Sequence, residues 1–208
     1  MNHPRSQPAR TLASYPLAVS FSLITFVATA ACYTQLPDSV PMHWDLHGQP
    51  TLYLPKWWAA WLLPVATVIV TTGLTRLLTP KRTSNVIVSG VAGLMCYICA
   101  LGLYAAIRPL DSPVPYAFAG IGVFLMVIGN ILGKLTWNFF VGIRTYWTMD
   151  DPSVWERTHR AAGPVYVLGG AAILIAGLAH APTPALFALL FATSVYPVIH
   201  SYITWHRG

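Results

Sequence analysis

Residues 86–107 read VIVSGVAGLMCYICALGLYAAI, a run with no charged side chain. A helix needs about 20 mostly apolar residues to cross the hydrocarbon core of a bilayer, so this run is long enough. Backbone groups in lipid must bond within their own segment, and the run does not alternate as membrane strands do. It therefore predicts a transmembrane helix. Five more runs have the same character, with no charge near their centres: 15–33, 57–78, 116–132, 161–179 and 184–205.

The composition fits a membrane protein and excludes an ordinary soluble domain. Hydrophobic residues make up 55% of the chain and charged residues 9%, whereas a soluble domain carries about 25% charged residues. The mean hydropathy is +0.57. The sequence therefore predicts an all-α polytopic membrane protein with six transmembrane helices.

The positive residues predict the orientation of these helices. Lysine and arginine concentrate on the cytoplasmic side of membrane proteins. If the N-terminus is cytoplasmic, only Lys56 and Arg108 lie outside, and both chain ends are cytoplasmic. The net charge of +6 then reflects topology and a lipid-bilayer partner, and it does not indicate a nucleic acid. The residues that this topology places inside are Arg5, Arg10, Arg76, Lys81, Arg82, Lys134, Arg144, Arg157, Arg160 and Arg207.

Two segments outside the apolar runs are longer than a simple turn. Residues 34–56 fall outside the cell and residues 134–160 inside. The chain therefore divides into an N-terminal helix pair, residues 1–78, which carries the extracellular loop, and a four-helix region, residues 79–208, which carries the cytoplasmic segment.

The outer loop contains prolines, a glycine and an alternating pair of histidines around an aspartate. His43, Asp45 and His47 would share one face of an extended strand. Histidine and carboxylate can bind zinc or copper, but two histidines and one aspartate do not complete a site. We therefore predict that they bond the loop to itself, with no metal and no cofactor. Lys56 can pair with Asp38 or Asp45, or anchor its helix at the lipid headgroups. The candidate binding residues of this loop are His43, Trp44, Asp45, His47, Gly48 and Lys56.

The inner segment begins at the end of the fourth apolar run. Asn130, Lys134 and Asn138 are spaced at i, i+4 and i+8, so they line one stripe if the helix continues. Gly129 and Gly133 form a small-xxx-small pair that favours close approach of a second helix.

A new helix is predicted later in the inner segment, with Asp151 as its N-cap and Pro152 at its first position. Trp155 and His159 would share a face of this helix. One interpretation is an amphipathic interfacial helix whose charges follow topology. The other is a cytoplasmic binding face on which the polar residues converge. That candidate face comprises Asn130, Lys134, Asn138, Arg144, Trp147, Trp155, Thr158, His159 and Arg160.

These residues resemble a known family. The motifs are Gly129-Asn130-x-x-Gly133-Lys134, Asn138, Gly142-Ile143-Arg144-Thr145-x-Trp147-Thr148 and Val154-Trp155-x-x-Thr158-His159-Arg160 with Gly163. They are similar to the signature of SdpI-type bacterial membrane immunity proteins. The outer loop resembles the companion domain of unknown function, through Leu36-Pro37, Val40-Pro41, His43, Gly48 and Lys56. The chain departs from the family at Tyr146, where proline is usual, and at Thr51, where an acidic residue is frequent.

The resemblance implies a function on both sides of a bacterial cell membrane. It implies immunity to an extracellular peptide toxin, with the outer loop binding the peptide, and signal transduction in which the inner face holds a cytoplasmic repressor. Enzyme activity is disfavoured but stays open as one of the alternatives below.

Two alternatives of other classes remain open. Lys134, Arg144 and Arg160 could hold the phosphate of an anionic lipid, with His159 as acid or base, in a lipid-binding or lipid-modifying protein. Transport is disfavoured because ionisable residues inside the spans are few.

Overall fold

Six helices of the protein are long and apolar enough to cross a membrane. The computed structural model describes residues 14–78, 82–108 and 110–207. The predicted all-α, six-helix polytopic fold is confirmed, and one further short helix, α5, lies in the inner segment. The helices are α1 (Pro16–Cys32), α2 (Lys56–Leu77), α3 (Arg82–Ile107), α4 (Val114–Leu132), α5 (Tyr146–Asp150), α6 (Pro152–Leu178) and α7 (Thr183–His206).

The ends of the helices keep the charge pattern that predicts their orientation. Arg76 lies in the last turn of α2, and Arg82 is the first residue of α3. The cations Arg5, Arg10 and Lys81 lie outside the described residues. We call the end of the molecule that carries Arg76 and Arg82 the inner end, and the opposite end the outer end.

Helices α4 and α6 pack antiparallel along a seam of glycines spaced seven residues apart. A Cβ added to Gly122 would lie 2.5 Å from the carbonyl oxygen of Gly170, and one added to Gly129 would lie 2.8 Å from that of Gly163. Gly177 continues the seam toward the outer end, 2.6 Å from the carbonyl oxygen of Pro115 by the same measure. Small residues allow membrane helices to approach closely, and this gain in packing drives their association.

Of the predicted pair, Gly129 makes a close contact with α6 and Gly133 does not. Gly133 is the C-cap of α4, and its added Cβ would meet nothing nearer than the Arg160 Cα at 3.6 Å. The close contact instead runs from Gly129 back to Gly122, because those two glycines, about two helical turns apart, both face α6.

Helix α1 packs on α3 rather than standing apart with α2. Ala18 of α1 lies in one buried cluster with Val88 and Ala92 of α3. Tyr15, just before α1, belongs to the same cluster, and its hydroxyl donates to the carbonyl oxygen of Leu78 at 3.2 Å. Burial of these side chains ties the first helix to the rest of the bundle.

The loop between α1 and α2 folds into a β-hairpin. Strands β1 (Ser39–Trp44) and β2 (Pro50–Pro55) pair antiparallel, and Ser39 lies opposite Pro55. The register shifts on both sides of His43, which marks a bulge in β1. We call residues 39–55 the outer hairpin and residues 134–160 the inner segment.

Candidate functional site

The tip of the outer hairpin is held by one carboxylate. Asp45 Oδ1 accepts hydrogen bonds from the backbone N–H of Gln49 at 2.9 Å and of His47 at 2.8 Å. Gly48 completes the turn with φ +78°, a conformation that favours glycine. The bond from Gln49 is the largest of the effects that lower the pKa of Asp45 below its usual value.

The prediction that His43, Asp45 and His47 share one strand face is wrong. Strand β1 ends at Trp44, so Asp45 and His47 belong to the turn. His43 instead pairs across the hairpin, where its Nδ1 lies 2.7 Å from Thr51 Oγ1. Within the described ranges, no group of three or more His, Cys, Asp or Glu side chains is placed to hold a metal ion.

Lys56 has partners other than the predicted carboxylates. Its backbone N–H donates to the carbonyl oxygen of Asp38 at 2.9 Å, and its Nζ lies 4.9 Å from the centre of the Tyr33 ring. Such a cation–π contact at an exposed site stabilises by about 0.5–1 kcal/mol. Lys56 therefore joins the base of the outer hairpin to the end of α1.

The outer hairpin rests on α2 and α3 and approaches the connection before α4. Val40 lies in a buried cluster with Ala59 of α2 and Cys99 of α3. At the tip, a Cβ added to Gly48 would lie 2.5 Å from Ser112 Cβ, in the connection that leads into α4. Three large apolar side chains of the hairpin remain exposed, namely Leu46, Leu52 and Tyr53.

In the inner segment, Asn138 organises the chain that follows α4. Its Oδ1 accepts from the backbone N–H groups of Phe140 at 2.9 Å and Val141 at 2.8 Å. Its Nδ2 donates to the carbonyl oxygens of Thr136 at 2.9 Å and Val141 at 3.0 Å. All four bonds are local, so Asn138 shapes the loop and does not reach a neighbouring helix.

Trp155 and His159 form the buried centre of the inner segment. Each is 1% exposed, and their rings stack with centroids 4.0 Å apart. The indole Nε1–H of Trp155 donates to the carbonyl oxygen of Leu135 at 2.8 Å. The contact fastens the loop after α4 to the first turns of α6.

Both ring nitrogens of His159 are occupied by backbone groups. Nε2 accepts from the N–H of Ile143 at 2.9 Å, so Nδ1 carries the proton and donates to the carbonyl oxygen of Trp155 at 2.8 Å. No ring nitrogen is left for a substrate. His159 therefore supports the loop, and the geometry disfavours the acid–base role of the enzyme alternative.

Gly142 lets the loop cross these two rings. Its φ is +137°, and an added Cβ would lie 2.5 Å from His159 Nε2 and 2.6 Å from Trp155 Cη2. Any larger residue would be strained in its backbone and would collide with both rings. The sequence motif contained this glycine, but its spacing alone gave no sign of the contact.

Helix α5 joins the loop to α7. The Thr145 and Thr148 side chains form a reciprocal capping box at its start, and the Thr148 hydroxyl donates to the carbonyl oxygen of Ile143 at 2.7 Å. Thr145 Oγ1 also lies 3.0 Å from Ser201 Oγ of α7. The turn is thus held by threonines although Tyr146 stands where the family usually has proline.

The other residues of the predicted cytoplasmic face remain at the surface. Asn130 bonds back to the carbonyl oxygen of Met126 at 2.8 Å, and Lys134 and Arg144 are exposed. Arg160 pairs with Glu156 at 3.2 Å. The predicted stripe through Asn130, Lys134 and Asn138 is wrong because α4 ends at Leu132.

The candidate face thus has two parts: a buried part, which we call the support, and a set of exposed cations. Trp155, Thr158 and His159 are buried, and Trp147 packs its ring on Tyr202 of α7, with centroids 5.1 Å apart. The cations of the face stand exposed around this support. The predicted helix start is confirmed, since Asp151 caps α6 by accepting from the Ser153 N–H at 2.6 Å.

Two family models match the chain, in the predicted order. The SdpI/YfhL protein family matches residues 134–201, and a domain of unknown function, DUF1648, matches residues 21–68. The chain is also 23% identical over 164 residues to Immunity protein SdpI of Bacillus subtilis (strain 168). The aligned region covers 76% of this chain and 79% of that protein. No solved structure matches the chain. The first match spans the inner segment and the second the outer hairpin, so the predicted resemblance is confirmed for both.

Proposed function

Because the chain joins an SdpI/YfhL-type region to a DUF1648 domain in one multi-pass bacterial membrane protein, we propose that it protects the cell from an extracellular peptide toxin. The outer hairpin binds the peptide, and the inner segment carries the response. The two regions belong to one bundle, linked by α4.

The outer hairpin is the observation that supports peptide binding most directly. Its exposed side chains include Leu46, Leu52 and Tyr53, which offer apolar contacts to an amphipathic peptide. On the predicted outer side, three aspartates stand against two cations, so this face has a net charge of −1, while the whole chain carries +6. A face that is acidic and apolar favours a cationic peptide.

Helix α4 is the route by which binding outside would reach the inner segment. The tip of the outer hairpin touches Ser112, just before α4, and the loop after α4 is fixed by Leu135 to Trp155. Nineteen residues of helix separate the two contacts, or about 28 Å. If the peptide binds more tightly when α4 is in one of two positions, it favours the matching conformation of the inner segment. The size of this shift is set by the difference between its two affinities.

The exposed cations of the inner segment are the surface for a cytoplasmic partner. We propose that Lys134 and Arg144 contact a repressor that is retained at the membrane. Neither side chain is needed for the buried support, since the loop is held by Asn138, Trp155 and His159. Removal of either cation should therefore alter partner binding and leave the fold intact.

The test is protection of a sensitive bacterium that lacks an immunity protein of its own. Cells producing the chain are challenged with a panel of extracellular bacterial peptide toxins that includes the sporulation-delaying peptide. We expect a clear rise in the inhibitory concentration of at least one toxin. No rise for any toxin, with the protein present in the membrane at the level of a positive control, would contradict the proposal.

Arg144→Ala separates the functional surface from the fold. We expect this variant to abolish protection or signalling, while its amount in the membrane and its melting temperature stay unchanged. Arg144→Lys should fail as well, because lysine cannot supply a planar two-pronged contact. Arg82→Ala is the matched control, an exposed inner-end arginine outside the inner segment, and it should keep full protection. Equal activity of all three variants would mean that the charge of Arg144 serves topology alone.

A further inference from the structure

A groove of about 700 Å³ lies between the inner ends of α6 and α7. Three arginines line its rim: Arg157 and Arg160 come from α6, and Arg207 directly follows α7. The two helices run antiparallel, so the start of one brings its cations beside the end of the other. Three guanidinium groups thus surround one opening.

Among the described residues that line the groove none is acidic, although Asp151 lies near Arg157 and Glu156 pairs with Arg160 outside it. Arg160 pairs with Glu156, but the two side chains are 78% and 68% exposed, and such a surface pair contributes little. Arg157 donates to Ser153 Oγ at 3.1 Å, a neutral partner. Within the described residues, no carboxylate oxygen lies within about 4 Å of an Arg207 nitrogen. An anion in the groove would meet an excess of arginine.

Below the rim, lipid-facing isoleucines line the groove beside a polar pair, His200 and Thr204, whose side chains lie 3.2 Å apart. Ile199 and Ile203 line it and are exposed on a membrane-spanning helix. Tyr196 lies one turn further toward the membrane centre and lines the same wall. A soluble phosphate would need only the arginines. A continuous path from cations to lipid-facing isoleucines instead suits a molecule with an anionic head and an acyl chain.

We propose that this groove binds one anionic phospholipid of the cytoplasmic leaflet. The phosphate lies among Arg157, Arg160 and Arg207, since guanidinium forks match phosphate oxygens in geometry and charge. An acyl chain lies along Ile199 and Ile203. Basic pockets between helices on the cytoplasmic side are suited to such headgroups.

The bound lipid would also hold the inner end of α7 against α6. Helix α5 already bridges to α7 through Thr145 and Ser201 and through Trp147 and Tyr202. A lipid on the other side of the same helix pair would fix α7 from both directions. The inner segment would then be presented in one position only when anionic lipid is present.

The test measures lipid binding to the full chain in detergent by native mass spectrometry, with phosphatidylglycerol and phosphatidylcholine as probes. We expect one phosphatidylglycerol per chain, held more tightly than phosphatidylcholine. Arg157→Gln combined with Arg207→Gln should weaken phosphatidylglycerol binding by about tenfold or more, given roughly 1 kcal/mol for each cation. This readout is lipid binding and not protection from a toxin, so the two proposals can fail separately.

Two further variants separate this site from general attraction to acidic lipid. Arg76→Gln combined with Arg82→Gln removes the same charge from the inner end outside the groove, and it should change binding by less than about twofold. Ile199→Trp fills the acyl path without a change in charge and should also weaken binding. Equal loss in both double variants, or binding of inorganic phosphate that competes fully with the lipid, would overturn the proposal.

Discussion

The outer hairpin and the inner segment are both long departures from the membrane helices, but they satisfy their polar groups in opposite ways. In the outer hairpin, Asp45 bonds to neighbours in its own turn, and His43 bonds across the hairpin to Thr51 of the paired strand. In the inner segment, Trp155 and His159 are buried and reach across 16 to 20 residues of chain to their partners. The hairpin is therefore locally determined, whereas the inner segment depends on the whole bundle.

This difference predicts where substitutions will be costly. A lost hydrogen bond at an exposed site is replaced by water, but a buried group without a partner costs about 1–3 kcal/mol. The inner support should behave as a core, and the outer hairpin as a surface that can change its ligand without loss of the fold.

The largest contrast is expected between two glycines with positive φ. Gly142→Ala forces a Cβ against the buried rings of Trp155 and His159, so backbone strain and overpacking together should cost about 2–4 kcal/mol. Gly48→Ala strains its backbone in the same way but meets Ser112 in a surface connection, and about 1–2 kcal/mol is expected. Thermal unfolding in detergent measures both.

Gly133→Ala is the matched control for this pair. Its φ is −66° and an added Cβ has open space beyond 3.6 Å, so a change within about 0.5 kcal/mol is expected. If Gly142→Ala proves as mild as Gly133→Ala, the loop does not lie across the rings, and the contrast between the two regions is lost.

A smaller contrast is expected between two histidines. His159→Phe preserves the stack on Trp155 but leaves the N–H of Ile143 without its acceptor, and should cost about 1–3 kcal/mol. His43→Phe breaks only an exposed bond to Thr51 and should change stability by less than about 0.5 kcal/mol. Melting temperatures of the two variants, compared side by side, decide the point, and equal shifts would refute a buried support.

The smallest effect concerns the charge of Asp45. Backbone donors lower its pKa in the folded state, so its contribution to stability is present above the unfolded value of about 3.9 and is lost as the pH falls through the lower folded value. Carbon-13 NMR of labelled aspartate, with Asp45→Asn to assign the signal, should give a midpoint below that of an unfolded peptide. A midpoint at or above it would mean that the turn is not formed.

The six spans were predictable because membrane insertion depends on local hydropathy and length. The start of α6 was predictable for the same reason, since an N-cap at Asp151 followed by Pro152 is a local signal. The end of α4 was not. The stripe through Lys134 and Asn138 requires the helix to continue, but α4 ends at Leu132. The loop that follows is held by a residue twenty positions later, since Trp155 bonds the carbonyl of Leu135.

The arrangement of the candidate site was not predictable from the sequence. The motif placed Trp155, His159 and Arg144 in one segment, but its spacing could not tell that the first two are buried and Arg144 is exposed. The two rings are buried where α4 and α6 pack along their glycine seam. The sequence signal of this contact is the seven-residue spacing of Gly163, Gly170 and Gly177. Likewise, the pairing of His43 with Thr51 depends on a bulge that alternation does not reveal.

The central claim is that the outer hairpin and the inner segment face opposite sides of the membrane, with the hairpin outside. Single cysteines on a background without Cys32, Cys96 and Cys99 test it in intact cells. An impermeant thiol reagent should modify Gln49→Cys, in the hairpin turn, and should modify Tyr146→Cys, at the start of α5, only after the membrane is opened. The reverse labelling pattern would contradict the account and exchange the roles of the two surfaces.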